Sequence, residues 1–371
     1  MVERTTPWQE ALMDIVVIGA GYAGTLAANR LRKRAPDAHI TVVNPRDDFI
    51  ERVRLHEQIA GSGTAARPLT EMLADGIACE TASVDKIGDG TVTLDSGRNL
   101  DFDYAVLATG SIADPIPGAI PVGTWEGAEQ ARAALAALPA GGIVTVIGGG
   151  LTGIETAAEV AEARPDLRVR LVSDTVAASL SVGARRHVRR TLDRLTVEIV
   201  AGRVIEIDGT TLRLRSGDEL DSDLTLWAIF AAVPDLAARS GLAVDADGRA
   251  LVDATLRSTT DPRVFAVGDC AAVPGMRMAC ATAAPQGAHA ADTLVRMSKG
   301  QEPRPFSLGY AGQGMSLGRH DGLQQITDRA DVPYRLFLRG PIAAFVKERV
   351  CRLAANASRA GYTVWLRGPR R

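Results

Sequence analysis

The sequence of 371 residues has few aromatic side chains, no cysteine motif and no long hydrophobic segment. Its four cysteines, Cys79, Cys270, Cys280 and Cys351, have no CxxC or metal-ligand spacing, so neither a structural disulfide nor a metal site is indicated. No window approaches the ~20 consecutive apolar residues that span a bilayer. The N-terminus lacks the basic start and apolar stretch of a secretion signal, and we therefore expect a cytoplasmic protein.

An excess of charge of one sign is also absent. The formal net charge is -2, and a hydrophobic content of 46% with 23% charged residues is typical of a globular protein. This balance favours no nucleic-acid partner. The length exceeds what one hydrophobic core usually organises and predicts two domains, while the oligomeric state is left open.

What the sequence does contain is a strand, glycine loop and helix pattern that occurs twice. The segments DIVVIGAGYAG (14–24) and IVTVIGGGLTG (143–153) each join a buried-strand run to a helical spacing of apolar residues. In the GxGxxG pattern the first glycine makes a tight turn, the second lets the backbone approach a pyrophosphate, and the third packs helix on strand. Two dinucleotide-binding Rossmann units are therefore predicted, with their glycines at Gly19, Gly21 and Gly24 and at Gly148, Gly150 and Gly153.

The residue that usually contacts the nucleotide ribose is altered in both units. Asn44 and Ser173 stand where an acidic residue is typical, although Asp174 follows the serine. No arginine is expected nearby to hold a 2′-phosphate. Glu155 and Glu159 lie on one face of the second helix, where Glu155 is a candidate for the nucleotide site and a solvated face is the simpler interpretation.

This order of motifs resembles the two-dinucleotide-binding-domain flavoproteins of the pyridine nucleotide-disulfide oxidoreductase superfamily, with FAD in the first unit and NADH or NADPH in the second. The segment DYAVLATGS (103–111) resembles their ATG strand, and VFAVGDCA (264–271) resembles the motif whose aspartate, here Asp269, binds the ribityl chain. The helix beginning CATAAPQG (280–287) resembles the one directed at the flavin ring. The resemblance assigns further positions to the cofactor site: Tyr22, Ala23, Pro45, Arg46, Arg54, Ala108, Thr109, Gly110, Gly268 and Ala283.

One branch of the superfamily fits best. The redox CxxxxC pair of the glutathione-reductase branch is absent, and FIERVRLHEQIAG (49–61) with YAGQGMSLGRHDG (310–322) resembles type II NADH dehydrogenases and apoptosis-inducing-factor-like oxidoreductases. In that branch hydride passes from NADH to FAD and two electrons pass directly to a quinone or similar acceptor. The resemblance implies that the substrate meets the flavin itself.

The resemblance implies an α/β fold with two Rossmann-type domains of three-layer ββα architecture, the second inserted into the first, and a C-terminal α+β segment. Two polar-turn segments, 92–103 and 212–223, are expected to form small hairpins. The expected boundaries are 1–121 and 251–304 for the FAD domain, 122–250 for the NAD(P)H-type domain and 305–371 for a capping segment.

Several residues bear on catalysis. Phe230 stands where the second unit usually has glycine, so its ring is expected to crowd the nicotinamide pocket. His56 is a candidate for proton exchange beside the flavin, with a surface histidine as the alternative, and His320 has similar standing. Cys270 is expected only to pack.

The C-terminal stretch from Pro341 to Arg371 holds seven basic residues and one acidic residue. Such a tail favours peripheral contact with the inner membrane surface, and a solvated end is the alternative.

The leading functional hypothesis is an FAD-dependent oxidoreductase that takes hydride from NAD(P)H and reduces a quinone-like or other small aromatic acceptor. One alternative is an FAD-only enzyme of specialised metabolism that oxidises or cyclises a small molecule beside a degenerate NAD(P)H site. Another is a redox-responsive protein without turnover.

Overall fold

Two parallel five-stranded sheets organise the chain. The computed structural model describes residues 13–229 and 232–369, and its strands and helices are numbered in chain order. The first sheet contains β1 (Asp14–Ile18), β2 (His39–Asn44), β5 (Ala78–Thr81), β9 (Tyr104–Leu107) and β19 (Val264–Ala266). Its spatial order is β19-β9-β1-β2-β5. The chain therefore leaves this sheet after β9 and returns to it only at β19.

The second sheet repeats the order of the first. It contains β10 (Ile120–Pro121), β11 (Ile143–Ile147), β12 (Arg168–Val172), β13 (Glu198–Val200) and β17 (Leu224–Trp227). Its order is β10-β17-β11-β12-β13, so β11 lies between its two parallel neighbours as β1 does in the first sheet. All strands of the second sheet fall in the chain between β9 and β19, which pair in the first sheet, so the second unit is an insertion into the first.

Each parallel sheet packs against a small antiparallel sheet. These are β6 (Val84–Gly88), β7 (Thr91–Leu94) and β8 (Asn99–Asp101) in the first unit, and β14 (Val204–Asp208), β15 (Thr211–Leu214) and β16 (Glu219–Asp221) in the second. Buried apolar residues of both small sheets share clusters with the parallel strands. The predicted hairpins are confirmed as β7–β8 and β15–β16.

Helices form the remaining layer. They are α1 (Tyr22–Arg34), α2 (Leu55–Ala60), α3 (Leu69–Met72), α4 (Trp125–Ala137), α5 (Leu151–Ala163), α6 (Val182–Arg194), α7 (Leu236–Arg239), α8 (Cys280–Ser298) and α9 (Pro341–Ala360). Short pairs are formed by β3 (Asp48–Ile50) with β4 (Ala66–Pro68) and by β18 (Ala250–Leu251) with β20 (Ala271–Ala272), and 3-10 turns span Arg52–Arg54 and Gly268–Cys270. The predicted α/β fold with three-layer ββα units is confirmed.

The C-terminal segment is α+β, as predicted. Its antiparallel sheet contains β21 (Gly312–Ser316), β22 (Gly322–Thr327) and β23 (Pro333–Arg339), and α9 packs between this sheet and α1. Pro341 begins α9 in the first turn, where a backbone N–H would have no partner within the helix. Gly361 ends the helix with a φ angle of +56°. None of the helices in the described part of the chain combines the length and apolar character needed to cross a membrane. The domain boundaries after residues 121, 250 and 304 remain predictions.

Candidate active site

The first glycine loop joins β1 to α1 and packs tightly at two of its three glycines. Gly19 has a φ angle of +100°, and a Cβ atom there would lie 2.6 Å from the carbonyl oxygen of Ala108. A Cβ atom on Gly24 would lie 1.9 Å from the carbonyl oxygen of Gly19. By contrast, no described atom lies within 4 Å of a Cβ built on Gly21. The middle glycine therefore leaves space in which a pyrophosphate can approach the helix N-terminus.

The second glycine loop, between β11 and α5, has the same geometry. Gly148 has a φ angle of +125°, and its Cβ would lie 3.0 Å from the carbonyl oxygen of Ala228. A Cβ on Gly153 would lie 1.9 Å from the carbonyl oxygen of Gly148, and nothing described lies within 4 Å of one on Gly150. The structure therefore contains two loops of the form that a dinucleotide pyrophosphate requires.

The two strand-end residues differ in what they contact. Asn44 Oδ1 accepts a 3.0 Å hydrogen bond from the backbone N–H of Ala20 in the first loop, and its amide nitrogen donates to the carbonyl of Arg46 at 2.7 Å. Ser173 Oγ instead donates to the carbonyl of Thr175 at 2.9 Å. Asn44 thus holds the first glycine loop directly. Ser173 instead holds the turn that follows β12. Their contacts with a ribose remain predictions.

A cleft of about 380 Å³ lies beside the second loop. Ser173, Asp174 and Arg203 all line it, because β12 and β13 are parallel neighbours that end at the same edge of the sheet. The backbone N–H of Gly202 donates to the carbonyl of Ser173 at 3.4 Å. The expectation that no arginine stands near this position is therefore wrong, since sheet pairing brings Arg203 there. Asp114 also lines the cleft, together with apolar residues that include Ile147, Val172, Val204 and Trp227.

The motif around Asp269 lies at the carboxyl edge of the first sheet. The Ser111 hydroxyl donates to Asp269 Oδ2 at 2.7 Å, and Arg52 Nη1 donates to the Ser111 carbonyl at 3.0 Å. Gly268 has a φ angle of +80°, and its N–H donates to Gln286 Oε1 at 2.7 Å. Arg52 was missed by the sequence reasoning, although it lies within FIERVRLHEQIAG (49–61), the segment that carried the resemblance. The other predicted positions at this edge are Ala108, Thr109 and Gly110 after β9 and Ala283 in the first turn of α8.

The first turn of α1 is buried against neighbouring elements. Tyr22 packs edge-on against Phe49, with ring centroids 5.1 Å apart. A Cβ on Gly287 of α8 would lie 2.2 Å from the carbonyl oxygen of Ala23, so α1 and α8 are in close backbone contact. The predicted cofactor positions Tyr22 and Ala23 are thus held between α8 and the segment after β2.

The two predicted arginines both bind carboxylates. Arg46, which follows Pro45 after β2, forms an ion pair with Glu126. Arg54 is only 7% exposed, and its contact with FAD remains a prediction. Its nitrogens contact three glutamates: Glu51 at 3.2 Å, Glu57 at 3.0 Å and Glu348 at 2.8 Å.

His56 belongs to a buried polar cluster between the second glycine helix and the C-terminal segment. Its Nε2 lies 3.0 Å from Ser316 Oγ, and the Ser316 N–H donates to Glu155 Oε1 at 2.9 Å. Lys347 Nζ from α9 lies 3.1 Å from the same carboxylate oxygen. His56 is 4% and Glu155 6% exposed, so the interpretations as a surface histidine and a solvated helix face are both wrong.

Arg319 extends this cluster along α5. Its Nε lies 2.8 Å from Glu159, its Nη1 lies 3.1 Å from Glu57, and its Nη2 lies 3.4 Å from His56 Nε2. Glu159 is 1% exposed and also accepts from Ser62. The exposed His320 lines a different cleft, beside α6.

Opposite charges set the protonation of the cluster. Burial alone raises a carboxyl pKa, but the Lys347 ammonium lowers the pKa of Glu155 below its ordinary value. Burial likewise opposes charge on Lys347, and Glu155 raises its pKa above the usual range. Burial lowers the pKa of His56 to about 4, although Glu155 and Glu57 oppose this shift. At neutral pH the cluster therefore contains a charged Lys347–Glu155 pair and a neutral His56.

The remaining candidates fall outside these contacts. Phe230 lies outside the described residues. Cys270 is buried, with its sulfur 3.3 Å from the carbonyl oxygen of Val267, in agreement with the expected packing role. All four cysteines are free thiols. No group of side chains suited to a metal ion occurs within residues 13–229 and 232–369.

Comparisons with known proteins agree with this architecture. NADH dehydrogenase-like protein Rv1812c of Mycobacterium tuberculosis is 32% identical over 292 residues, which cover 70% of this chain and 72% of the relative. Alternative NAD(P)H-ubiquinone oxidoreductase C1 of Arabidopsis thaliana is 25% identical over 384 residues, or 86% and 74% of the two chains. The solved structure of NDH2 from Plasmodium falciparum in complex with NADH matches with a TM-score of 0.80 at 14% identity, covering 95% of this chain and 97% of that one.

The fold and the paired loops define a flavoprotein oxidoreductase class with two dinucleotide sites. The profile of the pyridine nucleotide-disulphide oxidoreductase family matches residues 13–291, and the chain belongs to that family, in its NADH dehydrogenase-like branch. It is an FAD-dependent enzyme that uses NAD(P)H. The open space at Gly21, beside a loop held by Asn44, fits the FAD pyrophosphate.

Proposed function

We propose that the enzyme passes hydride from NAD(P)H to FAD and two electrons from FAD to a quinone-like or other small aromatic acceptor. The observation that supports this most strongly is the pair of glycine loops with one geometry, one on each sheet. In this proposal Gly21 faces the pyrophosphate of FAD and Gly150 that of NAD(P)H. Bound FAD supplies the carrier for two electrons, while the protein aligns the reactants.

The side chains near the flavin end have distinct proposed tasks. Asp269, held by Ser111, binds the ribityl chain, and Arg52 fixes the Ser111 carbonyl in turn. The N-terminus of α8 is directed at the flavin ring and favours negative charge there. No disulfide occurs among the described cysteines, so the acceptor would take electrons from the flavin directly.

The buried cluster is proposed to orient the nucleotide and to hold a proton. The Lys347–Glu155 pair lies next to the second loop on α5, and neutral His56 connects to it through the Ser316 hydroxyl. A neutral imidazole can accept a proton at Nε2 or donate one from the same atom in the other tautomer. The proposal thus gives His56 an exchangeable proton in a site from which bulk water is excluded.

Anaerobic stopped-flow mixing tests this function. NADH or NADPH should bleach the oxidised-flavin absorbance, and a soluble benzoquinone added in a second mix should restore it. If neither nucleotide bleaches the flavin, the FAD-only alternative takes its place. Bleaching that no quinone or other aromatic acceptor reverses would instead support a redox-responsive protein without turnover.

We also propose that the C-terminal segment contacts the inner surface of a membrane. Exposed apolar side chains follow one another along β23, α9 and the tail, and Ile342 is 69% exposed. Arginines accompany them, with the Arg349 guanidinium 5.0 Å from the Phe345 ring centroid. An apolar surface edged by cations suits anionic lipid, from which a lipophilic quinone could reach the flavin. The exposed apolar set includes Tyr334, Leu336, Leu338, Ile342, Phe345, Leu353 and Val364.

Flotation with vesicles tests this contact. The enzyme should float with phosphatidylglycerol vesicles more than with phosphatidylcholine vesicles, and Ile342→Glu with Leu353→Glu should abolish flotation. Ile205→Glu changes an exposed apolar residue of β14 and serves as the matched control. Equal flotation of the parent and the double variant would contradict the proposal.

A further inference from the structure

The cleft beside the second glycine loop lacks a carboxylate at the position that binds a free ribose. Ser173 occupies that position, directly after β12, and its hydroxyl donates to the Thr175 carbonyl. NADH recognition usually relies on an acidic side chain here, which accepts from the ribose hydroxyls, whereas NADPH recognition relies on an arginine nearby. The first half of the NADPH pattern is thus present.

Arg203 supplies the second half. It follows β13 and is exposed at the cleft, where it lies with Ser173. Two backbone contacts fix the segment: Gly202 N–H donates to the Ser173 carbonyl at 3.4 Å, and the Arg203 carbonyl accepts from Arg215 N–H at 2.8 Å. No ion pair joins its guanidinium to a carboxylate within the described ranges. The side chain therefore carries a positive charge that is free to bind a ligand in the cleft.

Asp174 and Asp114 are the opposing features, because both line the same cleft and their charges repel a phosphate. Two carboxylates and one guanidinium line the cleft, so long-range attraction does not by itself favour a phosphate. The hydrogen bonds then decide the preference. A guanidinium can donate two parallel bonds to a phosphate, whereas the residue at 173 offers no carboxylate to a ribose.

We propose that the hydride donor of this enzyme is NADPH in preference to NADH, with its 2′-phosphate bound by Arg203. This selectivity rests on the proposed use of the second loop for the nicotinamide nucleotide. It separates the chain from relatives that are named for NADH.

Calorimetric titration of the FAD-loaded enzyme tests the site without any hydride transfer. The two probes are ADP-ribose and 2′-phospho-ADP-ribose, which share the pyrophosphate and lack nicotinamide. The phosphorylated probe is expected to bind ~10-fold more tightly, as one charge-assisted hydrogen-bond contact implies. Equal binding, or tighter binding of ADP-ribose, would overturn the proposal.

Substitutions test whether Arg203 is responsible for the preference for the phosphorylated probe. Arg203→Gln should reduce the affinity ratio to about one and leave ADP-ribose binding unchanged. Asp174→Asn should raise the ratio by removing the repulsive charge. Arg168→Gln is the matched control. It replaces an arginine by glutamine at the opposite end of β12 and should keep the affinity ratio of the parent enzyme. A ratio that survives Arg203→Gln would show that Arg203 does not bind the phosphate.

The outcome is distinguishable from failure of the proposed function. If neither probe binds, the second loop holds no dinucleotide and both proposals fail. If both bind equally while NADH and NADPH bleach the flavin at similar rates, the function stands and only the selectivity is overturned.

Discussion

The two glycine loops share a backbone but differ in the helices that follow them. Five residues after the middle glycine, α1 has Leu26 and α5 has Glu155. Leu26 is buried against Ala284 and Ala288 of α8. Glu155 is buried against Lys347 of the C-terminal segment. The same position is therefore apolar packing in one unit and half of an ion pair in the other.

This difference separates what a phosphate needs from what a reaction needs. The close approaches at the first and third glycines recur in both loops because helix and strand must pack in the same way around a pyrophosphate. The side chains facing away from the loop have no such constraint. In the first unit Leu26 packs against α8. In the second unit Glu155 presents a negative charge to Lys347 of α9.

Matched aspartates in the two loops should have the largest effects. Gly21→Asp is expected to abolish FAD retention, because it adds bulk and negative charge beside the pyrophosphate. Gly150→Asp makes the same change in the second loop and should keep FAD but lose its reduction by NAD(P)H. No described neighbour obstructs either Cβ, so both variants should fold. The flavin-to-protein absorbance ratio after gel filtration measures the first effect, and anaerobic bleaching the second.

Two results would contradict this assignment of the loops. One is full flavin occupancy in Gly21→Asp. The other is equal loss of flavin from both variants, which would mean that the loops do not have separate ligands.

Removing the cation that pairs with Glu155 of the second unit should produce the next largest effect. Lys347→Met leaves the Glu155 carboxylate buried without its partner and is expected to lower the free energy of unfolding by ~3–5 kcal/mol. The double variant Glu155→Leu with Lys347→Met makes this position resemble Leu26 and should recover most of the loss. Urea denaturation measures both. An unchanged free energy of unfolding in Lys347→Met would show that the pair does not stabilise the fold.

The pH dependence of stability should report His56. Burial lowers the pKa of His56 from 6.5 to about 4, so between these values the unfolded chain binds a proton that the native chain does not. Neutral His56 therefore contributes to the free energy of unfolding in full above pH 6.5. This contribution is lost as the pH falls to about 4, by up to ~3 kcal/mol. His56→Asn should flatten this slope in urea denaturation from pH 7 to 4. His320→Asn, at an exposed histidine, should keep the parent slope, and a steep slope in His56→Asn would contradict the assignment.

The sequence predicted both loops and both following helices because their requirements are local. GxGxxG between a strand run and a helical run leaves few other structures possible. Burial of Glu155 could not be predicted in this way, since its partner Lys347 arrives on α9 from far along the chain. Arg203 escaped prediction for a related reason: only the pairing of β12 with β13 brings it beside Ser173. Local spacing determined the loops, and tertiary packing determined their partners.

The strand-end residues should show the smallest difference between the units. Asn44→Ala removes the acceptor of the Ala20 N–H in the first loop, so a buried donor is left unpaired at a cost of ~1–3 kcal/mol. Ser173→Ala removes one solvent-exposed hydrogen bond to the Thr175 carbonyl and should cost about 0.5–1 kcal/mol. Because Asn44 holds the loop that is proposed to bind FAD, its loss should also weaken FAD binding, measured by fluorescence during dilution. Asn44→Asp keeps an acceptor oxygen and should retain more affinity than Asn44→Ala. Equal effects of the two alanine variants on unfolding would mean that the loops are supported alike, and the contrast between their strand ends would then have no energetic consequence.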